Sequence, residues 1–191
     1  MKLSRIVVLS CIFATSAHGL DWPQWRGPER TDLSKETGLL KEWPAEGPKQ
    51  VWIFKNAGMG YSGPAVVGGK LFTLGTRDGK EILLALDAVK GTELWVHPLS
   101  DILGNGWGDG PRGTPTFDGG KIYALSGVGT LACVNAADGK EIWTTTMKEA
   151  GGKTPDWGYT ESPLRYESVL DIEILTAGSQ AQTWKMFNNN Y

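Results

Sequence analysis

The sequence predicts an all-β protein built from repeats of a short four-stranded unit. The first observation is a pair of similar stretches, Ala85-Leu-Asp87-Ala-Val-Lys-Gly91-Thr-Glu-Leu-Trp95 and Cys133-Val-Asn135-Ala-Ala-Asp-Gly139-Lys-Glu-Ile-Trp143. Their tryptophans are 48 residues apart (143 minus 95), and a period of that size indicates a repeat architecture. The second is composition, since 26 glycines and 9 tryptophans among 191 residues are typical of a turn-rich globular chain.

Each position of the repeated stretch has a physical role. The polar Asp or Asn ends an apolar strand, because a short polar side chain accepts hydrogen bonds from nearby N–H groups and opens a turn. The glycine supplies the positive φ that such a turn needs. The tryptophan begins the next strand and docks against a neighbouring unit. The predicted structural positions are Ala85, Asp87, Gly91, Trp95, Asn135, Gly139 and Trp143.

The similarity continues upstream, where Pro64 corresponds to Pro115 and the stretch 68–74 corresponds to 119–125. Each unit therefore contains four short strands separated by glycine-rich turns. About four strands in about 48 residues is typical of a propeller blade. The predicted strands are roughly 63–67, 70–75, 81–87 and 92–97 in the first unit and 113–117, 121–126, 130–135 and 140–146 in the second.

These motifs resemble a known family. The stretch 85–95 is similar to the tryptophan-docking repeat of pyrroloquinoline-quinone-like (PQQ-like) β-propellers, and Trp22-Pro-Gln-Trp25-Arg26-Gly27-Pro28 resembles the opening of that family. The resemblance covers about residues 20–163. It implies a partial β-propeller of two to three four-stranded blades from an eight-bladed family fold. The family includes quinoprotein dehydrogenases and non-catalytic BamB-like scaffolds, so the fold leaves the function open.

The N-terminus predicts a secretory signal peptide over residues 1–19. Lys2 and Arg5 precede an apolar run, and Ala17-His18-Gly19 is a small-x-small cleavage site. A buried first strand is the alternative. Cleavage would place the protein in the periplasm or outside the cell and leave Cys133 without an internal disulfide partner. Cys133 is then expected to be a small buried residue.

The rest of the chain divides into three parts. Residues 20–47 form an irregular lead-in in which Trp22 and Trp25 pack on the outside or rim. Residues 48–163 form the blades, and residues 164–191 form a degraded third blade or divergent tail. Val51–Phe54 is predicted to be the last strand of a blade. A propeller needs about 4–8 blades to close. We therefore expect a truncated or frame-shifted product whose open blade edges could self-associate.

One loop precedes the first strand of every unit, which predicts a binding face. Tyr61, Arg112 and Glu161 lie near the same offset in successive loops. Variable polar residues on recurring loops are how repeat proteins build sites. The candidate ligand-binding residues are Tyr61, Asp109, Arg112, Tyr159 and Glu161, with Arg112 the best candidate for binding a carboxylate or other anion. The alternative is hydrogen bonding between blades, with Arg112 paired to Asp109 or Glu161.

Signals for catalysis are absent from the sequence. His97 has no nearby His or Cys, no adjacent cysteine pair exists, and no motif places calcium ligands. We therefore predict a non-catalytic binding or scaffold module with no catalytic residue, metal or cofactor. PQQ and calcium are expected only under the alternative, a fragment of a quinone-dependent alcohol or sugar dehydrogenase. A net charge of −2 argues against nucleic acid. No transmembrane segment is expected, and protein partners would use the propeller face or edge.

Overall fold

The computed structural model describes residues 19–166, 169–174 and 182–187, so the predicted signal peptide lies almost entirely outside the described residues. Throughout the described ranges the regular secondary structure is β, arranged in three antiparallel sheets. The first sheet contains β1 (Ala65–Val67), β2 (Lys70–Arg77), β3 (Lys80–Asp87) and β4 (Glu93–Asp101). The second contains β5 (Thr116–Asp118), β6 (Lys121–Leu125), β7 (Thr130–Asn135) and β8 (Glu141–Thr146). The all-β fold class is confirmed.

The first two sheets are two copies of one blade, since each is a meander in chain order. Phe72, Ala85 and Trp95 lie side by side across blade 1. Tyr123, Cys133 and Trp143 form the same row across blade 2. In both rows a small residue separates two aromatic rings, whose centroids are 5.8 Å apart in blade 1 and 6.1 Å apart in blade 2. Cys133 is thus a buried structural residue, and burial raises the pKa of its thiol.

Both blades also carry a register shift at the same place. In blade 1 it falls between Ala85 and Leu86, and in blade 2 between Cys133 and Val134. A bulge at this place bends the outer strand and increases its twist. The repeat therefore includes an irregularity as well as the regular strands.

The main core lies between the two blades. Leu83 and Phe72 of blade 1 pack with Ile122 and Val134 of blade 2, and all four are at most 1% exposed. Burying such side chains contributes about 1.5–3 kcal/mol each relative to leaving them in water. Face-to-face packing of blades is therefore the main stabilising contact of the described chain.

Tryptophan docking joins each blade to the chain segment that precedes it. Trp95 on β4 donates its indole N–H to the Ala136 carbonyl of blade 2 at 3.3 Å. Its ring fills the space beside Gly139, where an added Cβ would lie 2.5 Å from the ring. Trp52 makes the equivalent bond to the Ala88 carbonyl of blade 1 at 3.0 Å. The turn that receives each tryptophan is the Asp or Asn turn of the repeat.

The prediction of a strand at Val51–Phe54 is wrong, although the segment keeps an alternating pattern. Trp52 and Phe54 pack on blade 1, while Val51 and Ile53 are 82% and 63% exposed. No described strand pairs with this segment. Without a neighbouring strand its backbone cannot form a ladder, so the docked Trp52 and the packing of Phe54 hold it against blade 1.

The third sheet contains β9 (Leu164–Tyr166), β10 (Val169–Ile174) and β11 (Gln182–Phe187), in the spatial order β11-β10-β9. β9 follows Pro163 as β1 follows Pro64 and β5 follows Pro115. These three strands therefore correspond to the first three strands of a blade. Trp184 lies opposite Ile172 on β11, at the third-strand position.

Candidate ligand-binding site

A cavity of about 690 Å³ lies where the loops before the first strands of the three sheets meet. We call it the loop-face cavity. Its volume lies within the range typical of small-molecule sites, about 300–1,000 Å³. Its lining combines aromatic rings, two arginines, one carboxylate and several hydroxyls: Trp25, Arg30, Tyr61, Gly63, Arg112, Thr114, Thr160, Glu161, Ser162 and Leu164.

The lead-in forms one wall of the cavity, where Trp25 is 48% exposed. Trp22 pairs with Val66 on β1 through two backbone hydrogen bonds of 2.7 and 2.9 Å. The Pro23 carbonyl accepts a hydrogen bond from Phe117 N–H on β5 at 2.8 Å. The free edges of both first strands attract the lead-in, because unpaired backbone groups there need partners. Trp25 then reaches the cavity.

Guanidinium groups cover the Trp25 ring. Arg26 and Arg30 hold their Cζ atoms 5.3 and 5.2 Å from its centroid, which is cation–π distance. Arg30 also donates to Gln24 Oε1 at 3.3 Å. The ring therefore orients positive charge along this wall of the cavity.

Arg112 is held rigidly at the cavity wall. Its Nη1 donates to the Gly110 carbonyl at 2.5 Å and its Nη2 to the Gly108 carbonyl at 2.7 Å. Its Cζ lies 5.7 Å from the centre of the Tyr61 ring. A guanidinium has five N–H donors, so these two bonds leave three for a ligand. A fork held in this way can accept a carboxylate with little loss of rotamer entropy.

Tyr61 joins the first loop to the second. Its N–H donates to the Pro111 carbonyl at 2.8 Å, and its hydroxyl donates to the Trp107 carbonyl at 3.2 Å. Gly108 leaves room for this hydroxyl, since an added Cβ there would lie 2.0 Å from it. The sequence signal for this contact was the glycine-rich run 104–110, which indicates only a turn when taken alone.

Glu161 and Ser162 supply polar groups from the third loop. Glu161 Oε2 accepts a hydrogen bond from Thr160 N–H at 2.9 Å. Ser162 Oγ accepts from Thr114 N–H at 2.9 Å, which leaves the serine hydroxyl proton for another acceptor. The cavity therefore offers donors from Arg112 and Ser162 and an acceptor from Glu161.

The structure thus brings together three of the five candidate residues, Tyr61, Arg112 and Glu161. Asp109 instead stabilises its own loop, accepting from Asn105 N–H at 2.9 Å. Tyr159 is 1% exposed and packs in the core of blade 2, where burial raises the pKa of its hydroxyl. In the described ranges Arg112 forms no ion pair with Asp109 or Glu161.

Glu81 is the residue that sequence reasoning missed. It lies on β3 and is 0% exposed. Its Oε1 accepts from Leu103 N–H at 2.9 Å and its Oε2 from Gly127 N–H at 2.7 Å. Burial raises the pKa of its carboxyl, while the two N–H donors and the charge of Arg112 act in the opposite direction. The only sequence signal is that a charged residue stands directly before the apolar run 82–86.

His97 also gains a partner that the sequence did not indicate. Its Nε2 lies 3.5 Å from Glu141 Oε2, which joins β4 of blade 1 to β8 of blade 2. Burial lowers the pKa of His97, and the carboxylate partly offsets that effect. This contact is at the outer strands, on the side of the blades away from the first strands.

Calcium does not fit the described part of the chain. Among those residues no group of three or more His, Cys, Asp or Glu side chains could hold a metal ion. The cavity itself holds a single carboxylate, Glu161, whereas calcium takes six to eight oxygen ligands with several carboxylates among them. A search of the same residues also finds no helix long and apolar enough to cross a membrane.

Comparison with known proteins identifies the repeat. The family model described as outer membrane protein assembly factor BamB, a PQQ-type repeat model, matches residues 79–164. Residues 79–164 are a PQQ-like β-propeller segment. The match begins within blade 1 and ends at the start of β9. The predicted resemblance is confirmed, and both of its tryptophan-docking stretches fall inside the match.

Solved structures show the same PQQ-like fold. The quinohemoprotein alcohol dehydrogenase from Comamonas testosteroni superposes with a TM-score of 0.62 at 18% identity, covering 87% of this chain and 27% of that one. A europium-containing methanol dehydrogenase superposes with a TM-score of 0.52 at 16% identity, covering 73% of this chain and 25% of that one. The chain thus spans about a quarter of the length of these neighbours. No curated protein sequence matches significantly.

Proposed function

We propose that this PQQ-like propeller segment is a non-catalytic binding module that holds a carboxylate-bearing segment of a protein partner in the loop-face cavity. One observation supports this most strongly. Three successive loops place Tyr61, Arg112 and Glu161 around a single cavity of about 690 Å³. The two arginines in its lining outnumber its one carboxylate, which favours an anionic ligand.

The quinone-dependent alternative receives support only from the fold, because likeness at 18% identity carries no function. The only cysteine in the described ranges is Cys133, which is buried in blade 2. With no carboxylate cluster suited to calcium among the same residues, the residue set does not fit that chemistry. We therefore propose binding in place of catalysis.

Labelled peptides test the proposal directly. A panel of fluorescein-labelled pentapeptides, each made with a free C-terminal carboxylate and again as the amide, is titrated against the full chain by fluorescence anisotropy. We expect the carboxylate forms to bind more tightly and Arg112→Gln to weaken them about tenfold, because a charged hydrogen bond contributes about 1.5–3 kcal/mol. Lys140→Gln removes the same charge from a side chain that is 83% exposed in blade 2 and should leave binding unchanged.

Two results would count against this function. Equal affinity for the acid and amide peptides would remove the role of the carboxylate. Binding of PQQ with calcium, accompanied by dye reduction with an alcohol, would support the alternative. We also infer that the chain is exported, and N-terminal sequencing of the protein from a periplasmic fraction should begin at Leu20.

A further inference from the structure

One buried carboxylate that does not line the loop-face cavity contacts the second loop directly and the third loop through Gly127, which lies in the turn between β6 and β7. We propose that Glu81 is a positioning residue that anchors both of these loops as a carboxylate, so that ligand binding at the cavity depends on this residue. The binding part of this proposal rests on the proposed function. The anchoring part can be measured without any ligand.

The first set of contacts leads from Glu81 to Arg112. Glu81 Oε1 accepts from Leu103 N–H at 2.9 Å. The Leu103 carbonyl accepts from Gly110 N–H at 3.0 Å. The Gly110 carbonyl in turn accepts from Arg112 Nη1 at 2.5 Å. Three hydrogen bonds therefore separate the buried carboxylate from the guanidinium that faces the cavity.

The second set leads from Glu81 to the third loop. Glu81 Oε2 accepts from Gly127 N–H at 2.7 Å. The Gly127 carbonyl accepts from Tyr159 N–H at 2.8 Å. Tyr159 comes two residues before Glu161 in the cavity lining. Gly127 has no room for a side chain, since an added Cβ would lie 2.9 Å from both Glu81 and Leu103.

The ionised form is the one that satisfies both loops. A carboxylate only accepts hydrogen bonds, whereas a carboxylic acid or an amide carries a donor on one of its two polar atoms. That donor would face an N–H group of Leu103 or Gly127, so one anchor is lost. A single ionised residue thus accepts hydrogen bonds in both sets of contacts.

The surroundings of Glu81 contain one charge that acts on it, that of Arg112. Its cross-strand neighbours on β2 and β4 are Thr76 and Ser100, which do not titrate in the relevant range. The loops supply only the backbone N–H groups of Leu103 and Gly127. Burial raises the pKa of Glu81, so protonation occurs at a less acidic pH than for an exposed glutamate.

Amide hydrogen exchange in the full chain tests the anchoring. Protection factors are measured by NMR for the amides of Leu103, Gly110, Gly127 and Tyr159 in the wild type and in Glu81→Gln. We expect about a tenfold loss of protection in the variant at neutral pH, corresponding to the loss of about one hydrogen bond. Glu149→Gln, which changes a carboxylate bonded to Thr146 at the end of blade 2, should leave these amides unchanged.

Acidification of the wild type gives a second test. The amide proton shifts of Leu103 and Gly127 should move together along one titration curve, because both groups donate to the carboxylate that becomes protonated. This titration needs only the wild type and so remains decisive if the variant does not fold. Shifts of the two amides that do not titrate together would overturn the proposal. Protection within twofold of the wild type in Glu81→Gln, or a pH dependence that persists in it, would overturn the proposal.

Peptide binding separates this inference from the proposed function. If Glu81→Gln loosens the loops and weakens the carboxylate peptides together, both stand. If the loops loosen but no carboxylate peptide binds the wild type, the proposed function fails and the anchoring stands. If peptides bind the variant and the wild type equally while the loops loosen, the dependence of binding on Glu81 is refuted.

Discussion

Blade 1 and blade 2 share their strands, their bulge and their tryptophan docking, but they connect to the following loops by different chemistry. In blade 1 the connection is Glu81, a buried carboxylate that accepts two backbone hydrogen bonds. The equivalent position in blade 2, 48 residues later, is Gly129. There the Tyr159 ring occupies the space, since an added Cβ on Gly129 would lie 2.4 Å from it.

This difference shows which part of a repeat is free to vary. The row of Phe72, Ala85 and Trp95 must recur, because each blade packs against the next through it. The side chain at the contact between the end of a blade and the next loop has to fill the space between them. A carboxylate or an aromatic ring can do this, and of the two only the carboxylate titrates at acidic pH.

The largest expected effect is at the aromatic connection of blade 2. Tyr159→Ala should lower the free energy of unfolding by about 4 kcal/mol, because deleting a buried ring leaves a cavity. Tyr159→Phe keeps the ring and should cost about 1 kcal/mol or less, because it removes only the hydroxyl. Urea unfolding followed by tryptophan fluorescence measures both. Equal losses from the two variants would show that the hydroxyl, not the ring, makes this connection.

The next effect tests what the two blades share. Gly139 has a φ of 71° and lies against Trp95, whereas Gly120 has a φ of 80° with open space around it. Gly120→Ala should cost about 1 kcal/mol from backbone strain alone. Gly139→Ala should cost about 2–3 kcal/mol, because it also pushes the docked ring away. Similar costs in thermal unfolding would mean that docking contributes little to stability.

The smallest effect concerns the pH dependence of stability, and it should appear only at the blade 1 connection. The folded-state pKa of Glu81 is raised above its unfolded-state pKa. Its contribution to the free energy of unfolding is therefore fully present below the unfolded-state pKa and is lost as pH rises through the folded-state pKa. The wild type should therefore lose stability relative to Glu81→Gln over that window, by about 1.4 kcal/mol for each pH unit that separates the folded and unfolded pKa values. Urea unfolding at several pH values measures this difference in the free energy of unfolding. A difference between the two proteins that stays constant across that window would contradict the prediction.

Sequence reasoning located part of the cavity lining where the loops recur. Tyr61 and Arg112 lie three residues before the proline that precedes each first strand, Glu161 lies two residues before it, and all three line the cavity. Tyr159 shares the same loop pattern, yet its side chain turns into the core. An offset in sequence specifies which loop a residue occupies, but backbone direction within the loop decides which way the side chain points.

The sequence alone determined the four strands of each of the two blades, their order and the row of docking residues, because those features depend on local turns and an apolar pattern that recurs every 48 residues. Tertiary structure decided the rest. Val51–Phe54 stays unpaired because strand formation requires a neighbour, and the lead-in enters the cavity because β1 and β5 offer free edges. Glu81 gained its role only when two distant loops brought their N–H groups to it, and such contacts leave no periodic pattern in the chain.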